Sequence, residues 1–323
     1  MRFIAPHRPH RPGDVSSLAG RSVAAWSGTK GYLSVRRYQS ISVLVSSGSV
    51  MIASLRRWHP GCLEPPEMKS NAMSLVAEEV DACVLRVIEQ SSRLPEHLGV
   101  ILDGNRRWAR RHGLDELEAY RRSAAKVEHL LSWCDRAGID IVTIWVLSVD
   151  NLQRGPMTVQ KLVDVIIRGL QRMAAMQCWR FHVIGDLSMI PAPQVAALRA
   201  IEAATADVQG LQVNVALAYG GRQDIVAAVQ GLLAEYSFTD ATTWVTDAKA
   251  LEERLSAHLS TAGQPDPDLI IRTSGEYRTS GFLLWQSAQS ELYFTTTEWP
   301  DFTEADLNDA LQSYSRRDRR FGR

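Results

Sequence analysis

Short apolar runs alternate along most of this chain with longer segments in which apolar residues recur at helical spacing. The runs predict buried strands over 98–102, 139–147, 180–184, 211–219 and 269–271. The spaced segments predict helices over 117–137, 158–176, 191–205, 224–236, 247–259 and 304–314, and a further apolar stretch covers 282–294. Strands that alternate with helices are typical of an α/β fold, so the pattern predicts a central, mostly parallel sheet flanked by helices on both faces.

The first part of the chain follows a different pattern. Residues 1–66 show no sustained strand or helix period, and they contain nine Lys and Arg residues but only two acidic ones. Three interpretations stay open for this extension: a disordered tail, a transit-like targeting segment, or a stretch upstream of a misannotated start codon, with Met68 or Met73 as the real beginning. We expect a leading helix over 74–91 within a linker of residues 67–96, and a catalytic domain over 97–323.

Composition narrows the function classes. The 323 residues have a formal net charge of zero, which gives no reason to expect a nucleic-acid partner for the whole chain. The segment 40–55 is too short and too polar for a membrane span. The four cysteines lie far apart and form neither a zinc-binding spacing nor a dense disulfide pattern, so we expect a cytoplasmic protein.

Polar clusters directly follow several of the predicted strands. Asp103, Asn151, Gly220 and Arg272 each stand just after an apolar run. In open α/β sheets, ligands bind beyond the carboxyl ends of the strands, so these distant segments should meet at one edge. The group expected there comprises three acids (Asp103, Asp150, Glu291), two amides (Asn105, Asn151), three hydroxyls (Ser148, Thr279, Ser280) and five arginines (Arg106, Arg107, Arg154, Arg272, Arg278).

A group with several arginines and few carboxylates predicts an anion site, because forked guanidinium groups suit phosphate oxygens. Mg²⁺ is the expected companion, since it takes one or two protein carboxylates and completes its shell with phosphate and water. The chain contains neither GxGxxG nor GxxxxGK[ST], which disfavours nicotinamide-dependent and P-loop enzymes. It also lacks HExxH and GxSxG, so zinc proteases and serine hydrolases are not expected.

Four separated blocks carry a resemblance to a known family: HLGVILDGNRRWARRHG from His97, LSVDNLQR from Leu147, ALAYGGRQDIV from Ala216, and PDLIIRTSGEYRTSGFLLWQSAQSELYFT from Pro267. In this order they resemble the cis-prenyltransferases, the undecaprenyl diphosphate synthase family, and more narrowly its actinobacterial short-chain branch with the Z-farnesyl diphosphate synthases. The resemblance begins at His97 and does not cover the preceding residues.

The resemblance implies a homodimer with a hydrophobic tunnel that extends an allylic diphosphate with isopentenyl diphosphate and forms a cis double bond. Asp103 and Asn151 would be catalytic, and Asp103 and Glu291 would bind Mg²⁺, with Glu291 supplied across the dimer as one option. The implied substrate-binding residues are Gly104, Asn105, Arg106, Arg107, Trp108, Ser148, Val149, Asp150, Arg154, Arg272, Arg278, Thr279 and Ser280. Peripheral membrane contact through the apolar product is a further expectation.

The chain departs from the family pattern at several positions. Arg106 replaces a usual glycine, Val149 and Asp150 replace Ser/Thr and Glu, Leu152 replaces tryptophan, and Tyr120 replaces a histidine. An arginine that is usual in the loop after Gly113 is missing, which leaves fewer donors for the allylic diphosphate.

Val146 stands where the resemblance places the residue that limits product length, so we expect a short product of about C15. The alternatives are a long-chain C50–C55 synthase, a non-catalytic partner subunit of the same fold, and an enzyme that makes an irregular or cyclised product. A nucleic-acid protein that uses the basic residues 1–66 is a fourth alternative.

Overall fold

The computed structural model describes residues 94–235 and 247–317, and the backbone of three strands between residues 30 and 56. These three strands are β1 (Lys30–Val35), β2 (Tyr38–Ser46) and β3 (Ser49–Arg56), and they form an antiparallel sheet in the order β1-β2-β3. The nature of the extension over 1–66 stays a prediction. The helix predicted over 74–91 lies outside the described residues.

The rest of the described chain is built on a six-stranded parallel sheet in the order β6-β7-β5-β4-β8-β9. Its strands are β4 (His97–Ile101), β5 (Ile141–Ser148), β6 (Arg180–Ile184), β7 (Gln212–Tyr219), β8 (Leu269–Arg272) and β9 (Glu291–Phe294). The predicted α/β fold with a parallel sheet is therefore confirmed. The apolar stretch 282–294 forms a turn, a short 3₁₀ helix (Gln286–Gln289) and the edge strand β9.

Helices connect these strands: α1 (Asn105–Arg111), α2 (Glu116–Ala137), α3 (Pro156–Ala175), α4 (Ala192–Thr205), α5 (Gly221–Ala234), α6 (Ala248–Ala257) and α7 (Glu304–Ser315). Their ends follow local chemistry. Gly138 ends α2 with a left-handed φ of 79°, as its position predicts. Asp247 accepts backbone N–H bonds at the start of α6, and Thr303 and Asp306 form a capping box at the start of α7.

The main hydrophobic core lies between the sheet and helices α2, α3, α4 and α7, and it contains large buried side chains such as Leu130, Met173 and Trp299. A smaller cluster packs on the opposite face, where Phe282 stacks on Trp145 with ring centroids 5.3 Å apart. Burial on both faces explains why the strands appear in the sequence as continuous apolar runs.

One irregularity shapes the centre of the sheet. Trp145 of β5 pairs with Ala216 of β7, but the next pair joins Leu147 to Leu217, so Val146 has no partner in the ladder. Such a bulge bends the strand and redirects a side chain. Val146 lines a cavity between β5, α2 and α3.

A buried polar network at the opposite, amino-terminal end of the strands is centred on His97. Its Nδ1 bonds the Pro265 carbonyl at 2.7 Å and its Nε2 bonds the Thr143 hydroxyl at 2.7 Å. Burial lowers the pKa of His97 from 6.5 to about 4, so the folded protein holds this ring neutral.

We predict that His97 makes stability sensitive to mild acid. Because the unfolded chain takes up the proton near pH 6.5 and the folded chain only near pH 4, the His97 contribution is complete above pH 6.5 and declines as the pH falls towards 4. The loss amounts to about 3 kcal/mol by proton linkage. The free energy of unfolding in urea, measured between pH 7 and pH 4.5, should depend less steeply on pH in His97→Gln than in the wild type. His129→Gln, an exposed control, should keep the wild-type slope. Equal pH slopes of the unfolding free energy in the wild type and both variants would contradict this prediction.

Candidate active site at the carboxyl ends of the strands

The site begins where β4 ends. The strand is followed by Asp103 and then by Gly104, the residue that precedes α1. Gly104 has a φ of 103°, a backbone conformation that residues with a side chain rarely adopt. A Cβ built on Gly104 would lie 2.9 Å from both the Glu298 Cβ and the Ser274 Oγ. A glycine is therefore required here, because the backbone approaches two neighbouring segments too closely for any side chain.

A buried ion pair connects β4 to β8. Arg272, which is 5% exposed, donates from Nη2 to the Asp103 carboxylate at 2.9 Å. Its Nη1 donates to the Arg278 carbonyl at 2.5 Å and to the Ser280 hydroxyl at 2.8 Å. The Thr273 hydroxyl adds a second connection, since it accepts from the Asp103 N–H and donates to the Asp103 carbonyl. The ends of β4 and β8 are thereby held together with the loop that follows β8.

Further charged side chains extend the network outwards from this ion pair. Arg107 contacts Glu276 at 3.1 Å, and Arg278 donates to the other oxygen of Glu276 at 2.5 Å. The two arginines lower the pKa of Glu276, with the Arg278 hydrogen bond as the larger cause. Glu276 was not among the predicted site residues, although its position between Arg272 and Arg278 in the sequence is a signal that could have found it. It keeps Arg107 and Arg278 next to each other.

The end of β5 supplies the third segment. Ser148 accepts a hydrogen bond from the Asn151 backbone N–H at 3.1 Å, and the residues Asp150–Arg154 form a 3₁₀ helix. The N–H of Val149 donates to the carbonyl of Tyr219, which ties this segment to β7. Asp150 is exposed, whereas Asn151 and Arg154 are half-buried. Among the described residues, Asn151 forms a hydrogen bond through its backbone N–H only, so its side-chain amide can turn towards a ligand.

An apolar cavity of about 50 Å³ is lined in part by Leu102 and Asn105, which flank Asp103 and Gly104 in the sequence. Its lining comes from α2, α3, β5 and the start of α1: Leu102, Asn105, Tyr120, Ser123, Ala124, Val127, Ile144, Val146, Leu147, Leu162, Val165, Ile166, Gly169, Leu170 and Met173. Asn105 is buried, and its Oδ1 has no hydrogen-bond partner in the described part of the chain. An apolar cavity beside an anion site suits a molecule with an oily chain and a phosphorylated head.

Two of the predicted residues have partners elsewhere in the chain. Trp108 is 4% exposed, and its indole N–H donates to Asp301 at 2.7 Å, so this side chain anchors α1 and does not face a ligand. Glu291 is the first residue of β9 and pairs with Leu269, the first residue of β8. Asp103, by contrast, comes after Ile101, the last residue of β4 that pairs with β8. Within one chain the two carboxylates therefore lie at opposite ends of the strands, and Glu291 binds Arg317.

The other residues predicted for the site lie on α1 and in the loops after β5 and β8, and their roles stay predictions. Arg106 and Arg107 lie on the exposed side of α1, and Thr279 and Ser280 lie in the loop after β8. Ser280 adopts a left-handed φ of 52°, and its hydroxyl bonds Arg272. Backbone strain of this kind is often concentrated at functional sites.

The donors at this site fit a magnesium ion bound together with a phosphorylated ligand. The Asp103 side chain is 33% exposed, and each of its oxygens accepts one N–H bond, so lone pairs stay free on both. No group of three or more His, Cys, Asp or Glu side chains with metal-binding geometry occurs within residues 94–235 and 247–317. Mg²⁺ needs no such group, because ligand phosphates and water supply most of its shell.

The model of a protein family described as putative undecaprenyl diphosphate synthase matches residues 101–322. The chain belongs to this family. The resemblance to the cis-prenyltransferases that the four sequence blocks indicate is thereby confirmed, and with it the class of transferase.

Among characterised relatives, the (2Z,6E)-farnesyl diphosphate synthase of Thermobifida fusca is 47% identical over 71% of this chain and 90% of its own length. The short-chain Z-isoprenyl diphosphate synthase of Mycobacterium leprae is 45% identical over 72% of this chain and 89% of its own. A solved structure of lavandulyl diphosphate synthase from Lavandula x intermedia, in complex with dimethylallyl diphosphate, is similar with a TM-score of 0.67 and 36% identity. That match covers 72% of this chain and 100% of the lavandulyl enzyme.

We predict that Gly104→Ala destabilises this prenyltransferase more than Gly113→Ala. Both glycines have a positive φ, which costs an alanine about 1 to 3 kcal/mol. Only at Gly104 does the added Cβ also meet neighbouring atoms, since nothing lies within 4 Å of a Cβ at Gly113. Chemical unfolding of both variants tests this, and equal losses of stability would show that the close approach to Glu298 and Ser274 is not restrictive.

Proposed function

We propose that this chain condenses isopentenyl diphosphate with an allylic diphosphate to give a Z-prenyl diphosphate. The observation that carries the proposal is an apolar cavity lined by Leu102 and Asn105, which lie on either side of Asp103 along the chain, together with the arginine partners of Asp103. The names of the relatives, which include Z-isoprenyl and (2Z,6E)-farnesyl diphosphate synthases, support it.

In the proposed reaction, Asp103 would hold Mg²⁺, which would supply positive charge to stabilise the departing diphosphate. Arg106 and Arg107 bind that diphosphate, together with the backbone N–H of Asn105. Arg272, Arg278 and Ser280 hold the isopentenyl diphosphate. Asn151 orients the isopentenyl group, with Ser148 and Arg154 beside it, and the released diphosphate can accept the proton that this group loses.

The apolar lining has two roles in this proposal. It shields the electron-poor allylic carbon from water, which would otherwise capture it. It also limits growth, because each added five-carbon unit must fit between α2, α3 and β5. Val146 lies at the bulge of β5 and lines the cavity. We therefore propose a short product of about C15, not a C50–C55 chain.

Incubation of the purified protein with Mg²⁺, isopentenyl diphosphate and labelled geranyl diphosphate should give a C15 product by chromatography. Val146→Ala should extend part of the product beyond C15, because it widens the cavity. Val163→Ala, which removes the same atoms from a buried position of α3 outside the cavity lining, should leave product length unchanged.

Products of C50 or longer from the wild type would contradict the short-chain proposal. Complete absence of turnover would favour the alternative of a non-catalytic partner subunit. An irregular or cyclised skeleton by NMR would indicate the third alternative.

We also propose that two copies form a homodimer through α5. This helix exposes Val226, Val229 and Leu233 on one face, with 56%, 39% and 62% of their surfaces accessible, and Leu284 lies nearby at 42%. A contiguous apolar face of this kind is typical of a protein interface. A dimer would also offer a way for Glu291 of one copy to approach the site of the other, as the resemblance allows.

Leu233→Glu should convert the dimer to a monomer in sedimentation equilibrium, because it places a charge in the apolar face. Met189→Glu is a matched control, since Met189 is 46% exposed in a separate 3₁₀ helix. A monomeric wild type at micromolar concentration, or a dimeric Leu233→Glu variant, would contradict this interface.

The described helices include none that is long and apolar enough to cross a membrane. A cytoplasmic location, with peripheral membrane contact through the apolar product, is our proposal for the setting of the reaction.

A further inference from the structure

The turn after β7 is a part of the carboxyl edge that the proposed mechanism has not used. It comprises Tyr219, the last residue of β7, then Gly220, and Gly221, the first residue of α5. The sequence places it at this edge, because Gly220 directly follows an apolar run. Its contacts reach the segment after β5 and the loop after β8, which are the two segments that the mechanism assigns to isopentenyl diphosphate.

Two backbone hydrogen bonds connect the turn to these segments. The Tyr219 carbonyl accepts from the N–H of Val149, two residues before Asn151, at 3.2 Å. The Gly221 N–H has no partner within α5, as at the start of any helix, and it donates to the Gly281 carbonyl at 3.0 Å. Although β5 and β4 separate β7 from β8 in the sheet, one short turn therefore joins the segment after β5 to the loop after β8.

The Tyr219 side chain holds the same loop at further points. Tyr219 is 1% exposed, and its hydroxyl donates to Asp224 of α5 at 3.0 Å and accepts the backbone N–H of Leu283. Burial raises the pKa of this phenol, so the hydroxyl keeps the proton that it donates. Phe282 is fully buried, and its ring meets the Tyr219 ring edge to face with centroids 6.4 Å apart. The loop is thus anchored at three consecutive residues, Gly281, Phe282 and Leu283.

Gly221 leaves no room for a side chain against the loop. An added Cβ would overlap the Gly281 carbonyl oxygen and would lie 2.6 Å from the Leu284 Cβ. The residue before Gly281 is Ser280, which adopts a left-handed φ of 52° and accepts a hydrogen bond from the buried Arg272. A conformation of this kind persists only where its surroundings enforce it, so we expect displacement of the Gly281 carbonyl to move Ser280 away from Arg272.

We propose that Gly221 is a positioning residue for isopentenyl diphosphate. Because it has no side chain, the Gly281 carbonyl can accept its N–H, and Ser280 stays where the proposed mechanism needs it. The segment with Asn151 orients the other end of the same substrate, so the turn keeps the groups that hold the two ends of one molecule at a fixed separation. The inference rests on the proposed function. Binding of the allylic diphosphate, which the mechanism assigns to α1, does not depend on this contact.

The test uses the full-length protein and compares Gly221→Ala with Gly220→Ala, the same substitution one residue earlier. Gly220 has an extended φ of −151°, and an added Cβ there would meet only the flexible end of Gln223 at short range. In turnover with Mg²⁺, KM for isopentenyl diphosphate should rise about tenfold to a hundredfold in Gly221→Ala, as for the loss of a hydrogen bond to a charged group. KM for the allylic diphosphate should stay within about twofold. Gly220→Ala should leave both values unchanged.

A double substitution tests whether Gly221 acts through Ser280. In a Ser280→Ala background, the effect of Gly221→Ala on KM for isopentenyl diphosphate should shrink, because the hydroxyl that the glycine positions is already absent. Tyr219→Phe removes the acceptor of the Leu283 N–H and should raise the same KM about twofold to tenfold, as expected for one neutral hydrogen bond. Tyr293→Phe, on β9, is its matched control and should keep the wild-type KM. The melting temperature of each variant shows whether it is folded.

Wild-type KM for isopentenyl diphosphate in a folded Gly221→Ala variant would overturn the inference. An equal rise of both KM values would also overturn it, because that result indicates general damage to the site, and so would additive effects of Gly221→Ala and Ser280→Ala. If Gly221→Ala does not fold, an unchanged KM for isopentenyl diphosphate in Tyr219→Phe would overturn it instead. A wild-type protein without turnover would refute the proposed function itself, and this inference with it, which is a separate outcome.

Discussion

The buried guanidinium of Arg272 is the constraint on which the arrangement of the site depends. A charge with only 5% of its surface exposed must have a partner, because an unpaired buried charge is strongly destabilising. Arg272 meets this need through Asp103, the Arg278 carbonyl and the Ser280 hydroxyl. Those three partners belong to the end of β4 and to the loop after β8, so a single side chain fixes the separation of these two segments before any ligand arrives.

The pairing also prepares the site for an anion. Asp103 is surrounded by cationic groups, and it offsets only part of their charge, since Arg106 and Arg107 extend beyond it on α1. Donors that are already in place need little reorganisation when a diphosphate departs, which is the physical basis of electrostatic catalysis. The apolar cavity beside them excludes water from the same region.

Much of this arrangement could be predicted from the sequence. The buried strands appear as apolar runs, and Asp103, Asn151 and Arg272 each follow one of them, so the rule for parallel sheets places them at one edge. What the sequence could not show depends on tertiary contacts. The bulge at Val146 is a mismatch between two strands, and the anchoring of Trp108 depends on Asp301, almost two hundred positions away. Glu291 lies at the amino end of its short strand, away from Asp103 of the same chain, and this position depends on a strand register that the sequence does not show.

Our central proposal is that Asp103, held by Arg272, binds the magnesium ion that the proposed reaction uses. The most direct test compares Mg²⁺-dependent turnover of the wild type with that of Asp103→Asn, which keeps an oxygen acceptor for Arg272, and of Asp103→Ala. The account predicts that both variants lose most of the wild-type rate while Asp103→Asn keeps the wild-type melting temperature. Turnover near the wild-type level by either variant would contradict it.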